Sequence, residues 1–204
     1  NPQGHGIGPL SPGQPIRETG LRRARAATAL MLALPGGAYL FQGEELGLPE
    51  VINLPDESRQ DPTWFRTNYE RYGRDGCRVP IPWESGAPAA GFNTTGESWL
   101  PQPEDWSEYA RDVQDGVEGS TLNLYKHALR LRAGHTLGTG DLVWLEGDNP
   151  HVIAFQNGDV TVIANTGSDT VDLPAAFAGA EILLSSAPVE PGIVPGDTTV
   201  WLRH

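Results

Sequence analysis

The spacing of hydrophobic and polar positions divides the chain into three stretches with different periods. Over residues 21–34, Leu21, Ala24, Thr28 and Met31 make one stripe, with Ala27, Leu30 and Leu34 beside it. That spacing predicts a helix that buries most of its surface. Pro35-Gly36-Gly37 stops it, and the short apolar run at residues 38–41 predicts a strand. Residues 1–20, rich in Gly and Pro with no apolar period, read as a loop. A buried helix, a glycine turn and a short strand ending in Gln42, Gly43, Glu44 and Glu45 form the αβ step of a parallel α/β fold. In such folds chemistry collects beyond the C-terminal ends of the strands.

Residues 47–119 carry aromatics, prolines and charges with little periodicity. Within them Asp61-Pro62 predicts a helix start, an N-cap followed by proline in the first turn. Gly73 predicts its end, and Trp64, Phe65, Tyr69 and Tyr72 give it an aromatic side. A second long helix is predicted over 120–133, capped by Ser120 and ended by Gly134, with Leu122, Tyr125 and Leu129 on one face. Beyond it the period switches to two. Candidate strands lie at 142–145, 152–156, 160–165, 170–173, 181–184 and 198–202, with Asn157-Gly158 as a hairpin signal. The fold class expected is α/β: elements of a parallel α/β fold over residues 1–139, then a small antiparallel β-sandwich domain over 140–204.

Composition narrows the function classes. With 38% hydrophobic and 20% charged residues the chain can build a core. A net charge of −12 argues against nucleic acid as a partner and leaves a neutral ligand fully compatible. No run is long enough to span a membrane, so no membrane partner is expected. The single cysteine, Cys77, excludes an internal disulfide, and the five histidines show no metal-ligand spacing, so no metal or cofactor is expected. Cysteine usage and the lack of a signal peptide point to the cytoplasm. Because residue 1 is Asn and the only methionine is Met31, the chain is expected to begin mid-protein.

Several residues are candidates for chemistry. Glu44 and Glu45 are an adjacent carboxylate pair, but neighbours on a strand point to opposite faces and cannot both flank one glycosidic bond. A structural role is expected for them. The segment Gly73-Arg74-Asp75-Gly76-Cys77-Arg78-Val79-Pro80-Ile81-Pro82-Trp83-Glu84 is the most distinctive. Arg78 can offer a planar donor fork to a carboxylate or to sugar hydroxyls, or pair with Asp75 at the surface. Trp64, Trp99 and Trp106 suit either stacking on sugar rings or a local core. Asn93-Thr94-Thr95 matches a glycosylation sequon weakly, and Cys77 has no histidine nearby in sequence to activate it.

The run from Ala38 through Gln42-Gly43-Glu44-Glu45 to Leu48 resembles the last barrel strand and following turn of glycoside hydrolase family 13 α-glucosidases. Residues 73–84 resemble the GRD-x-x-R-x-P-x-x-W segment of the oligo-1,6-glucosidase group. Ala90-Gly91-Phe92 with Thr95-Gly96-Glu97-Ser98-Trp99-Leu100 resembles its AGF…TGxPWL loop, with Ser98 where proline is usual. Residues 124–132 resemble the final barrel helix. These matches keep the family's order across residues 21–133.

The resemblance implies the C-terminal part of a (β/α)8 barrel in a retaining α-glucosidase that releases terminal glucose from short α-linked di- and oligosaccharides. In that family an Asp nucleophile, a Glu acid/base and a second Asp carry catalysis, all upstream of the segment seen here. No Asn-His-Asp motif occurs in this chain, so it is expected to need the missing N-terminal part of the same enzyme as partner and to be inactive alone. Arg78 matches the arginine that lines the terminal-glucose pocket, paired there with an Asp from the N-terminal part, and Asp75 belongs to the same substrate-binding segment. Three alternatives remain: a transglycosylating relative such as a sucrose isomerase or trehalose-forming enzyme, a non-catalytic barrel relative used for partner binding, and a free-standing carbohydrate-binding module.

Overall fold

A computed structural model of the chain describes residues 8, 9 and 11–203. Two units can be distinguished: residues 42–117 with the segment up to Arg17, and residues 18–41 with 118–204. The sequence-predicted loop at 1–20 lies partly outside the described residues, and its end is already helical.

In the second unit, α1 (Arg17–Ala33) starts four residues earlier than its apolar stripe and buries Ala26, Ala29, Leu32 and Ala33. The last carbonyls of a helix lack internal partners. Here a side chain of α4 (Thr121–Gly134) meets them: Arg132 Nη1 donates to the carbonyls of Leu32 and Leu34, both at 2.6 Å. The start of α4 follows its sequence signal, since the Ser120 hydroxyl accepts from the Asn123 amide at 3.2 Å.

The strands β1 (Leu142–Trp144), β2 (Val152–Asn157), β3 (Val160–Asn165), β5 (Glu181–Ser185) and β7 (Thr198–Arg203) form an antiparallel sheet in the order β1-β2-β3-β7-β5. A two-stranded ribbon pairs β4 (Val171–Asp172) with β6 (Ile193–Val194). Every residue of β3 is buried because both faces of the sheet are covered. On one face Val160, Val162, Phe155 and Trp201 pack with Ala29, Leu32 and Ala128 of the helices. On the other, Ile163, Val200 and Leu202 pack with Val194 of the ribbon. Three polar side chains fix the helix side of this layer. Trp201 Nε1 donates to Ala29 O at 3.0 Å, Thr199 Oγ1 to Ala26 O at 2.8 Å, and Asn157 Nδ2 to Ala33 O at 2.8 Å. The hairpin forms where it was expected, but Asn157 faces Val160 in register, so the two-residue loop is Gly158-Asp159.

Two local expectations fail. Residues 38–41 form no strand among the described residues: Tyr39 is 91% exposed, and Leu40 and Phe41 are exposed as well. A strand needs a hydrogen-bonding neighbour, and none of the described residues supplies one here. The helix expected over residues 61–73 is only one turn long, α2 (Pro62–Arg66). Asn68 and Tyr69 take positive φ (51° and 67°), and Tyr69 folds back so that its ring meets Trp64 edge-on at 5.2 Å. The aromatic side read as a helix face is a cluster built across a turn.

The first unit has little regular structure and a small core of its own, Val51, Leu54, Val79, Leu100 and Trp106. No helix among the described residues is long and apolar enough to cross a membrane.

Candidate functional site

The site grows from the cap of α2. Asp61, 1% exposed, turns one oxygen to the helix: Oδ1 accepts from the Thr63 amide at 2.8 Å. Its other oxygen, Oδ2, accepts from the Arg74 amide at 3.1 Å and lies 3.2 Å from Arg78 Nη1. Thr63 first, through its amide and its side chain, then the Arg74 amide and the Arg78 charge hold the Asp61 carboxyl at a pKa of about 2, against burial that pushes it up. Asp61 therefore stays ionised at any physiological pH.

Asp75 sits beneath it, also buried. Its Oδ2 accepts from the backbone amides of Gln60 and Asp61 at 2.9 and 2.8 Å, and Oδ1 lies 3.6 Å from Arg78 Nη1. One segment of loop thus crosses another, cross-linked by Asp61, which accepts from the Arg74 amide, and by Asp75, which accepts from the Gln60 and Asp61 amides. Gly73 makes the crossing feasible. Its φ is +71°, and a Cβ there would lie 2.6 Å from Asp61 Cβ and Cγ. Gly76 is equally constrained, since a Cβ would come within 2.5 Å of the Val51 carbonyl.

Both contacts of the Arg78 guanidinium with carboxylate run through Nη1, and the side chain remains 39% exposed. It is anchored through Nη1 while part of the side chain stays accessible, an arrangement that suits presenting donors to a neutral polyhydroxy ligand. Arg74 is different: it is 74% exposed, with Nε 3.5 Å from Asp61 Oδ2. Val79 is buried in the local core, and the Pro80-Ile81-Pro82 backbone carries the chain to Trp83, which is half exposed. The loop returns through Ala90, whose carbonyl accepts from the amides of Trp83 and Glu84 at 2.7 and 3.0 Å. Ala89 and Ala90 both have positive φ, 45° and 47°, a strained pair that holds this return tight.

The structure brings together Arg78 and Asp75, the two residues singled out in sequence, and adds Asp61, which sequence reasoning used only as a helix cap. Glu44 and Glu45 lie in a single turn between left-handed Gly43 and Gly47, where Glu45 Oε2 accepts from the Gly43 amide at 2.8 Å. Cys77 is exposed, and its thiol pKa is raised by burial of the sulfur and by Glu50. It is no activated nucleophile. The Asn93 side chain is engaged locally: Oδ1 accepts from the amides of Thr95 and Gly96, and Nδ2 donates to Glu97 O. Among the described residues no three His, Cys, Asp or Glu side chains cluster as a metal site would require.

A cleft of about 680 Å³ adjoins this cluster, lined by Arg59, Gln60, Trp64, Tyr69, Tyr72 and Trp99 among others. The three tryptophans read from sequence separate here. Trp106 is buried in the local core, Trp64 is buried in the cleft wall, and Trp99 stands 66% exposed at its edge.

Residues 13–140 match the family described as "Alpha amylase, catalytic domain", well over half of the chain. The chain belongs to this alpha-amylase family, glycoside hydrolase family 13. Among curated relatives, a "Probable alpha-glucosidase" of Rhizobium meliloti is 36% identical over 124 residues, covering 60% of this chain and 22% of the relative. A "Trehalose synthase/amylase TreS" of Mycobacterium tuberculosis is 30% identical over 164 residues, covering 77% of this chain and 24% of the relative. Among solved structures, an alpha-glucosyl transfer enzyme, XgtA, superposes with a TM-score of 0.71 at 30% identity, over 89% of this chain and 35% of that one. The chain thus spans about a quarter of the length of these curated relatives. Its fold is that of a piece of a glycoside hydrolase family 13 (β/α)8 barrel enzyme with a β-rich C-terminal part.

Proposed function

We propose that this chain is the C-terminal portion of a retaining α-glucosidase that releases terminal glucose from short α-linked oligosaccharides. It supplies part of the glucose pocket, while the catalytic carboxylates come from the N-terminal part of the same cytoplasmic enzyme. Residues 1–139 then end the catalytic barrel, with the exposed 38–41 segment as its last strand, and residues 140–204 form the C-terminal β domain. One observation carries the reading: a buried carboxylate pair, Asp61 and Asp75, holds the Arg78 guanidinium partly exposed in a family 13 chain.

Arg78 grips the terminal hydroxyls of the non-reducing glucose, and a donor fork closing the end of a pocket restricts it to chain ends. Asp75 acts on the sugar through Arg78, since its oxygens already serve two amides and the guanidinium. A second reading has support from the 30% identity to a trehalose synthase and to a glucosyl transfer enzyme. The glucosyl-enzyme formed with Arg78 holding the sugar would then be intercepted by a sugar acceptor instead of water. Product analysis separates them: free glucose from maltose supports hydrolysis, and a new disaccharide supports transfer.

The test of the site is Arg78→Lys in the full-length enzyme. Lysine keeps the charge but loses the planar fork. The expected loss in kcat/KM toward maltose or isomaltose corresponds to about 2–4 kcal/mol, the range for compromising one partner of a desolvated charged pair. Arg74→Lys, at a far more exposed side chain, is expected to cost much less. If Arg78→Lys stays within a few-fold of wild type, Arg78 does not touch the sugar.

A further inference from the structure

We propose that Asn157-Gly158 is a site of self-modification: the folded chain shields it, and once unfolded it loses ammonia to give a residue that the folded site no longer accepts. The inference does not depend on the α-glucosidase reading.

The chemistry is that of an asparagine followed by glycine, and this is the only such pair in the chain. The Gly158 amide nitrogen attacks Asn157 Cγ and gives up its proton to solvent. The Cγ–Nδ2 bond then breaks, and the nitrogen leaves as ammonia after taking a proton from water. Water opens the cyclic imide at either carbonyl, leaving aspartate in one case and isoaspartate in the other. Glycine favours the ring closure because it has no Cβ to crowd the attacking nitrogen and has the widest backbone freedom. Water is the only co-reactant.

The fold opposes each step. Asn157 is fully buried at the last position of β2, while Gly158 and Asp159 beyond it are exposed. Both protons of the leaving nitrogen are engaged, since Nδ2 donates to Ala33 O at 2.8 Å and to Leu137 O at 2.9 Å. Attack on Cγ would place negative charge on Oδ1, and no donor among the described residues meets that atom. Gly140 lies so close to it that a Cβ there would come within 1.8 Å of Oδ1. The φ of Gly140 is an ordinary −75°, so glycine is required at this point for space and not for backbone freedom. The hairpin is tied as well. Asn157 is in register with Val160, and the Asp159 carboxylate oxygens lie 2.8 and 2.9 Å from His135 Nδ1 at the end of α4. Pinned to two carbonyls, the Asn157 side chain is not free to swing onto the Gly158 nitrogen.

The product has no place in this site. A carboxylate offers only acceptors, so it sets oxygen against oxygen at Ala33 and Leu137, where the amide donated twice. Burying that charge against two unpaired carbonyls works against the folded state. Isoaspartate lengthens the backbone by an atom where β2 meets its hairpin, and so disturbs the register with Val160. Either product also loses the tie between the last residue of α1 and the turn after α4. A transient unfolding of this unit thereby becomes permanent.

The experiment incubates the full-length enzyme in mildly alkaline buffer, folded and in guanidinium chloride above its unfolding midpoint. Mass spectrometry of the peptide containing Asn157 measures conversion of amide to acid. Conversion is expected to be slower in the folded protein by about a hundredfold or more, because it proceeds only from the open state. Guanidinium below the midpoint is expected to raise the rate in step with the population of open chains. A rate equal in the two states, or flat below the midpoint, overturns the shielding. After dilution out of denaturant, refolded and non-native chains are separated by gel filtration and each is mapped. The refolded fraction is expected to hold at least about tenfold less acid at position 157 than the non-native one. Equal acid content in the two fractions overturns the claim that the site rejects its product. Asn157→Asp, made directly, supplies a second check: it is expected to be less stable than wild type at neutral pH, and an unchanged Tm overturns the same claim.

Discussion

Replacing Asp61 by asparagine isolates the charge that organises the Arg78 cluster. Asparagine has nearly the same shape and caps helices about as well, so the start of α2 survives. What disappears is the negative charge facing Arg78 and Arg74. The wild-type carboxyl is held at a pKa of about 2, against an ordinary value of 3.8. A difference of nearly two units corresponds to about 2 kcal/mol favouring the folded state once the group is ionised. The sign follows from the direction of the shift. A depressed carboxylate contributes in full above its unfolded pKa and loses that contribution as pH falls through the folded value. Asp61→Asn is therefore expected to be less stable than wild type by about 2 kcal/mol at pH 7, with the gap closing between about pH 4 and pH 2. Other carboxylates titrate in both proteins and cancel in the difference. Urea unfolding of both proteins across this pH range measures the gap, and the Asp61 Cγ resonance reports the titration directly. A gap independent of pH, or a midpoint near 3.8, would refute the account of Asp61 as the ionised anchor of the site.

Two other substitutions test the packing on which the units depend. Gly73→Ala forces a side chain onto φ +71° and to 2.6 Å from Asp61, and should cost at least about 2 kcal/mol in urea unfolding; a cost under about 0.5 kcal/mol would mean the loop crossing is loose. Trp201→Phe removes the donor to Ala29 O and part of a fully buried ring, and is expected to cost about 2–3 kcal/mol, read as a lower Tm. A neutral result would show that the sheet does not depend on its contact with α1.

What could be read from the sequence was what neighbours along the chain decide. The strand β3 matches the expected residues 160–165 because alternation and a two-residue hairpin act within a few positions. The cap of α4 was legible because Ser120 reaches only as far as Asn123. The failures are non-local. The 38–41 segment has strand composition, but pairing depends on a neighbour that sequence periodicity does not register. The expected 61–73 helix had a cap, a proline and an aromatic spacing, yet Thr67 Oγ1 donates to the Thr63 carbonyl at 2.7 Å just where Tyr69 turns back onto Trp64. A local hydroxyl bond and a ring contact end the helix before Gly73 can.

The candidate site divides along the same line. Arg78 and Asp75 were legible because they are three positions apart in a distinctive segment. Asp61 was not, because its cap role explained the residue completely and left nothing to suggest a second oxygen in use. Gly73 carried the missing signal. Its place in the sequence suggests a helix terminus, whereas its lack of a Cβ allows the Arg74 amide to reach Asp61 Oδ2. The cap of one loop and the guanidinium of another thus share a single carboxylate. Any change that unsettles the α2 turn should therefore also move Arg78, and through Gln60 the adjoining cleft. The sequence distance between Asp61 and Arg78 understates how tightly the two are coupled, because the carboxylate charge is satisfied only when both loops are in place.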